Sequence, residues 1–141
     1  VATTSGIAES QGLDLILDEG LRERSFGIFE GLLRSEAEEL NAEAFRRWTS
    51  GSFTEAVPGG ESRKDLCERI LEVLKMLAKT HQGQSIAVTT HGGVLASLWR
   101  YLEPKREESR GFSIPNGSIS HIKVSSAGDW EVVQWSSVDH L

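Results

Sequence analysis

Three residues of this chain, Glu23, His91 and Asn116, are of types that move protons or hold oxyanions. His91 lies in "VTTHGGVLASL" (88–98), where a run of β-formers meets an imidazole, two glycines and a leucine-rich helical pattern. In open α/β sheets, ligands bind at such strand-to-helix junctions. Gly92 and Gly93 carry no Cβ, so a ligand can approach the amides that open the helix, and those amides with the helix dipole favour an anion, phosphate above all. A bound dianion would favour the imidazolium, whereas the helix N-terminus alone favours the neutral ring. Glu23 stands in the glycine-bearing segment "LRERSFGIFEGL" (21–32), where a carboxylate can reach a cleft and act as general acid or base. Asn116, in "SIPNGSIS", can offer its amide to a ligand. Each has an ordinary reading beside the chemical one: a structural histidine, a solvated acid paired with Arg22 or Arg24, and a Pro-Asn-Gly turn. His81, His91, His121 and His140 show no metal-ligand spacing, and Cys67 stands by itself.

The elements that must position these residues follow from pattern and punctuation. "VATTSGIAES" reads as a helix already under way, with Val1, Ile7 and Ala8 on its apolar side and no start signal, so the expectation is a chain cut upstream. "LDLILDE" (13–19) has the length and apolar density of a strand, and 21–32 is irregular. Ser35 with Glu38 forms a capping-box pattern before one helix carrying Ala37, Leu40, Ala44, Phe45 and Trp48 to about residue 50. Residues 49–62 are a turn-rich linker broken at Pro58-Gly59-Gly60. Ser62 with Asp65 is a second capping box, and Leu66, Ile70, Val73, Leu74 and Leu77 predict an amphipathic helix that stops near Gly83. "SIAVTT" (85–90) predicts a strand buried on both faces, 93–102 a helix ending before Pro104, and 105–111 a solvated charged loop. "SISHIKVS" (118–125) and "DWEVVQW" (129–135) alternate, with "AGD" as their hairpin turn. The order predicts an α/β layer protein with a mostly parallel sheet and an antiparallel edge.

Composition narrows the function. The 141 residues suit one domain, and 38% hydrophobic with 26% charged residues is ordinary for a globular protein. Net charge is −6, and residues 1–43 hold ten acids against three arginines, which argues against nucleic acid as a partner. The four tryptophans have no interleaved basic cluster and read as core. No apolar run approaches the ~18–20 residues of a membrane span. One cysteine suits a reducing compartment, the cytoplasm or a plastid, and no targeting segment is visible. Without a Gly-x-Gly-x-x-Gly or P-loop sequence, a nucleotide-binding domain is disfavoured.

In this order, "LRERSFGIFEGL", "PGGES", "AVTTHGGV" and "PNGSIS" resemble the histidine phosphatase superfamily, the phosphoglycerate mutase-like group, over nearly the whole chain. The closing "VVQWSSVDHL" is similar to the tail of plant-type members. The resemblance implies a three-layer α/β fold, a mostly parallel sheet flanked by helices with a hairpin-like edge. It implies hydrolysis of a small phosphorylated metabolite through a phosphohistidine, with no metal or other cofactor because arginines supply the positive charge. Carried over by position, Glu23 is the acid/base, His91 the second active-site histidine and Gly92 a backbone donor, while Arg24, Ser62, Arg63 and Asn116 bind substrate or phosphate. The chain departs from the family pattern in one respect. The nucleophile's Arg-His-Gly motif, on the central first strand, and the following Ser-x-Leu-x-Arg-Ala motif do not occur; the one His-Gly pair is His91-Gly92, preceded by Thr90. The expectation is therefore a single, N-terminally incomplete domain over 1–141, lacking the strand beside "SIAVTT" and inactive alone. The short span from Glu23 to His91 favours a phosphatase over a mutase. A truncated or degenerate member that binds a phosphorylated ligand without catalysis is the alternative, and a homodimer stays open.

Overall fold

The helices form where the sequence supplies caps and an apolar stripe. In the computed structural model, which describes residues 2–104 and 114–141, α1 spans Ala2–Gln11, α2 Arg34–Leu40, α3 Ala42–Thr49, α4 Arg63–Thr80 and α5 Gly92–Leu102. The predicted box opens α4: Ser62 Oγ accepts from the Asp65 N–H at 3.1 Å, and the Asp65 carboxylate accepts from the Ser62 N–H at 3.0 Å. The stripe of α4 then buries against α5 in two groups, Leu66 and Ile70 with Val94, and Cys67 and Leu71 with Leu98. β1 (Ile119–Val124) and β2 (Trp130–Ser137) form the predicted antiparallel hairpin, with Ile122 opposite Val132 and Lys123 opposite Glu131. Its turn closes through Ser125 and Asp129, and Gly128 takes φ 90° there. Ile122 and Trp135 pack on the second α4–α5 group.

A separate core lies under α2 and α3, where Phe29, Ala37, Ala44, Phe45 and Val57 are buried with Phe26 and Trp48 at their edge. Here the structure corrects two expectations. The single helix is two, because Asn41 leaves helical geometry (φ −156°, ψ 87°) and its side chain accepts from the Ala44 N–H at 3.0 Å, ending α2 and capping α3. The start of α2 is fixed by Glu36, whose carboxylate accepts from the Leu33 N–H at 2.7 Å, rather than by Ser35 with Glu38. Nor is 49–62 a free linker. The Ile28 N–H reaches Pro58 O at 3.1 Å and the Glu61 N–H reaches Ser25 O at 3.0 Å, so this segment is docked on the loop after Glu23.

The two remaining predicted strands, 13–19 and 85–90, are not strands in the structure. Among the described residues the one hydrogen-bonded ladder is β1 with β2. The reason is physical: a strand is stable only when a neighbour satisfies its N–H and C=O groups, and no described segment does so here. The two-sided burial expected of 85–90 is lost as well, with Ile86 47% and Val88 37% exposed. A cavity of about 920 Å³ lies among Ile86, Val88 and Thr90, helix residues such as Leu74 and Val94, and the Ser120–Ser125 stretch of the hairpin. The charged loop predicted at 105–111 falls outside the described residues. Among the described helices none is long and apolar enough to cross a membrane.

Candidate active site

His91 occupies the N-cap of α5 with extended backbone (φ −115°, ψ 163°), and its carbonyl accepts the Leu95 N–H at 3.1 Å. Its ring is exposed and takes no part in the cap. Glu23, 70 residues before Gly93 in the chain, reaches the first turn of the same helix: its Oε2 accepts the Gly93 N–H at 3.0 Å and its Oε1 accepts the Arg24 N–H at 2.9 Å. A carboxylate is thus held on the first turn of the helix that His91 caps, where the dipole favours negative charge. The glycine that permits this is Gly93, because a Cβ there would collide with the Glu23 carboxylate. A Cβ at Gly92 would meet nothing within 4 Å, so of the two glycines Gly93 is the one crowded by the protein's own side chain.

Several contacts hold the Glu23 loop to the helices. A single 3-10 turn, Glu19–Leu21, is capped by Asp18, whose Oδ1 accepts the Gly20 N–H at 2.7 Å. Thr90 Oγ1 donates to Leu21 O at 2.7 Å, tying the end of "SIAVTT" to the same loop. Arg69 of α4 makes the strongest link. Its Nε and Nη2 each donate to the Glu61 carboxylate at 2.8 Å, while Nη1 donates to Gly20 O at 2.7 Å and Arg22 O at 3.2 Å. Glu61 Oε2 also accepts the Ser25 N–H at 3.0 Å. The Arg69 hydrogen bonds hold the Glu61 carboxyl below its ordinary range, and burial offsets this only in part. Beside this clamp Gly27 (φ 51°) lies so close to Pro58 and Gly60 that a side chain has no room.

Arg24 follows Glu23, with its guanidinium 4.8 Å from the centre of the Phe26 ring. Burial, and next the charge of Arg63, lower its pKa, against the opposing pull of Glu23 and Glu61. Arg63 opens α4 and donates to Gly51 O at 3.3 Å. Ser62 is 3% exposed and its hydroxyl is spent on capping, since besides accepting from Asp65 N–H it donates to the Asp65 carboxylate at 2.7 Å. That engagement explains the buried serine without a ligand. Asn116 is exposed on the Pro115–Ser118 turn and forms no hydrogen bond to this group among the described residues. Glu23, Arg24, His91 and Arg63 are therefore associated around the α4–α5 pair, and Asn116 is not.

Arg69 and the engagement of Gly93 and Glu61 are not evident in the sequence. Arg69 sits beside Ile70 at the edge of an amphipathic stripe, a position that usually marks only a solvated flank. Its partners come from separate loops, which periodicity cannot bring together.

A profile of the histidine phosphatase superfamily (branch 1) matches residues 1–138. Phosphoglycerate mutase-like protein 4 of Arabidopsis thaliana is 32% identical over 130 residues, covering 92% of this chain and 56% of that protein. The metal-independent phosphoserine phosphatase of Arabidopsis thaliana is 34% identical over 122 residues, covering 86% and 50%. The chain thus spans about half the length of these curated relatives. Among solved structures, Bacillus stearothermophilus YhfR superposes with a TM-score of 0.87 at 24% identity, over 99% of this chain and 69% of that one. The mycobacterial glucosyl-3-phosphoglycerate phosphatase Rv2419c with inorganic phosphate gives 0.77 at 23%, over 96% and 70%. With the motifs in order and the Glu23 carboxylate seated on the helix that His91 caps, the match extends to nearly every residue: this chain belongs to the histidine phosphatase superfamily.

Proposed function

We propose that these 141 residues are the C-terminal portion of a phosphomonoester hydrolase acting on a small phosphorylated metabolite, whose attacking histidine lies outside them. The observation that carries this reading is the Glu23 carboxylate held by the Gly93 N–H on the first turn of the helix that the exposed His91 caps. In the first step a histidine nitrogen bonds to phosphorus, the bond to the leaving oxygen breaks, and Glu23 gives that oxygen its proton. In the second step water attacks phosphorus, the P–N bond breaks, and the water proton returns to Glu23. His91, with the Gly92 amide at the start of α5, hydrogen-bonds the phosphoryl oxygens as charge develops, while Arg24 and Arg63 face the rest of the substrate. Ser62 acts by fixing the start of α4. The three-layer parallel sheet would be completed by a strand entering the cavity between 85–90 and β1, a reading supported by the unladdered run and the exposed Ile86 and Val88.

The test uses protein expressed from the complete coding sequence, assayed on p-nitrophenyl phosphate and on an alkyl phosphate. His91→Ala is expected to cost about 10²–10³-fold in kcat, the range for losing one oxyanion donor. Glu23→Gln should slow the alkyl ester more than the aryl ester, because the poorer leaving group needs the proton. Equal slowing of both esters would remove Glu23 from that role. The 141-residue chain alone should release no phosphate; turnover by it that depends on His91 would place the nucleophile within the chain.

A further inference from the structure

Resting on the phosphomonoester reading, we infer that Arg69 is the positioning residue of the proton donor, acting with Glu61 to fix the main chain on both sides of Glu23. On the N-terminal side Arg69 Nη1 donates to Gly20 O at 2.7 Å and to Arg22 O at 3.2 Å. On the C-terminal side the Ser25 N–H donates to Glu61 Oε2 and the Glu61 N–H donates to Ser25 O, each at 3.0 Å. The same Glu61 carboxylate is forked by Arg69 Nε and Nη2 at 2.8 Å. One ion pair therefore holds both ends of a short span, and only Glu23 and Arg24 lie between the holds. Its side chains are 22% and 26% exposed, so water competes little for these bonds.

Residues 23–26 belong to no helix or strand, so their course is fixed by bonds from elsewhere in the chain. The carbonyls of Gly20, Leu21 and Arg22 are each held by a distant side chain, the middle one by Thr90 Oγ1 at 2.7 Å, from the residue that precedes His91. Glu23 bonds in turn to the Gly93 and Arg24 N–H groups, so a shift of the main chain here moves the carboxylate off α5 or breaks one of those bonds. Arg69 is not a binder of substrate. A guanidinium carries five N–H donors, and four hydrogen bonds of Arg69 go to protein oxygens, which leaves no parallel pair to clasp an anion. Its effect on the reaction passes through Glu23, because a proton donor works only within hydrogen-bond reach of the leaving oxygen.

The experiment measures kcat and KM of protein from the complete coding sequence on p-nitrophenyl phosphate and on glycerol 3-phosphate, at a temperature where circular dichroism shows each variant folded. Arg69→Lys keeps the charge and loses the fork. It should lower kcat on the alkyl ester about tenfold and on the aryl ester about twofold or less, with KM for both little changed. Glu61→Gln should act in the same direction, and it is read by the same criterion should Arg69→Lys not fold. In Glu23→Gln the donor is already absent, so adding Arg69→Lys should cost the alkyl ester nothing further. A structural role alone lowers both esters by one factor, and that outcome overturns the inference while leaving the proposed reaction standing. A full further loss in the double variant also overturns it. Equal slowing of both esters by Glu23→Gln, or no turnover of either by the parent protein, overturns the reading on which the inference rests.

Discussion

At the scale of the residue, two neighbouring glycines in "HGGV" have opposite constraints. Gly93 must lack a side chain because Glu23 occupies the space, whereas Gly92 opens a helix with nothing near its Cβ position. Gly93→Ala should push Glu23 off its amide, and a displacement of about 1 Å at such a group can cost about 10²-fold in turnover. Gly92→Ala should instead raise the unfolding midpoint slightly, since alanine is favoured over glycine in a helix by roughly 0.5–1 kcal/mol. Thermal unfolding of both variants, with the hydrolysis assay for the first, checks the contrast; loss of stability in both would contradict it. The sequence shows His91, Glu23 and the glycine pair plainly, because a strand-like run, an imidazole and a helix pattern adjoin. It does not show which glycine is crowded, since the crowding group comes from residue 23.

At the scale of the element, the clamp of Arg69 on Glu61, Gly20 and Arg22 joins α4 to both loops beside the site. Arg69→Met should destabilise the fold by roughly 1–3 kcal/mol, between exposed and buried ion pairs, because Glu61 is then left without its partner. Its pH dependence has a definite sign. The folded Glu61 carboxyl lies below its unfolded value, so its contribution is present above the unfolded pKa and is lost as pH falls through the folded one. Denaturant melts across the acid range should show a flatter decline for Arg69→Met than for the parent; parallel declines would exclude the clamp as the cause. Elements set by local signals are legible in the sequence: the Ser62–Asp65 cap, the stripe of α4, and the "AGD" turn between alternating strands. The break at Asn41 is hidden by the apolar spacing of Ala37, Leu40 and Ala44, which continues across it. The runs at 13–19 and 85–90 look like strands in composition, but a strand is a relation between two segments and neither finds its partner here.

At the scale of the whole molecule, the unladdered runs leave Leu13, Ile16, Leu17 and Ile86 in water, and apolar exposure favours association. The 141-residue chain should therefore self-associate as its concentration rises, and Ile16→Lys with Leu17→Lys should lower its apparent mass in sedimentation equilibrium. A concentration-independent monomer would show that this surface is not adhesive. Cys67, buried between α4 and α5 with its thiol pushed up by burial, offers a reporter that reacts with thiol reagents only when that pair opens. The contact of Gly27 with Pro58 and Gly60 has a consequence of another kind. No side chain separates the two loops there, so their spacing is a ruler made of main chain alone. Substitutions can change what Glu23 and Arg63 each touch, but they cannot lengthen that ruler; the reach between the loop of Glu23 and the segment that leads to Arg63 is a dimension of the backbone.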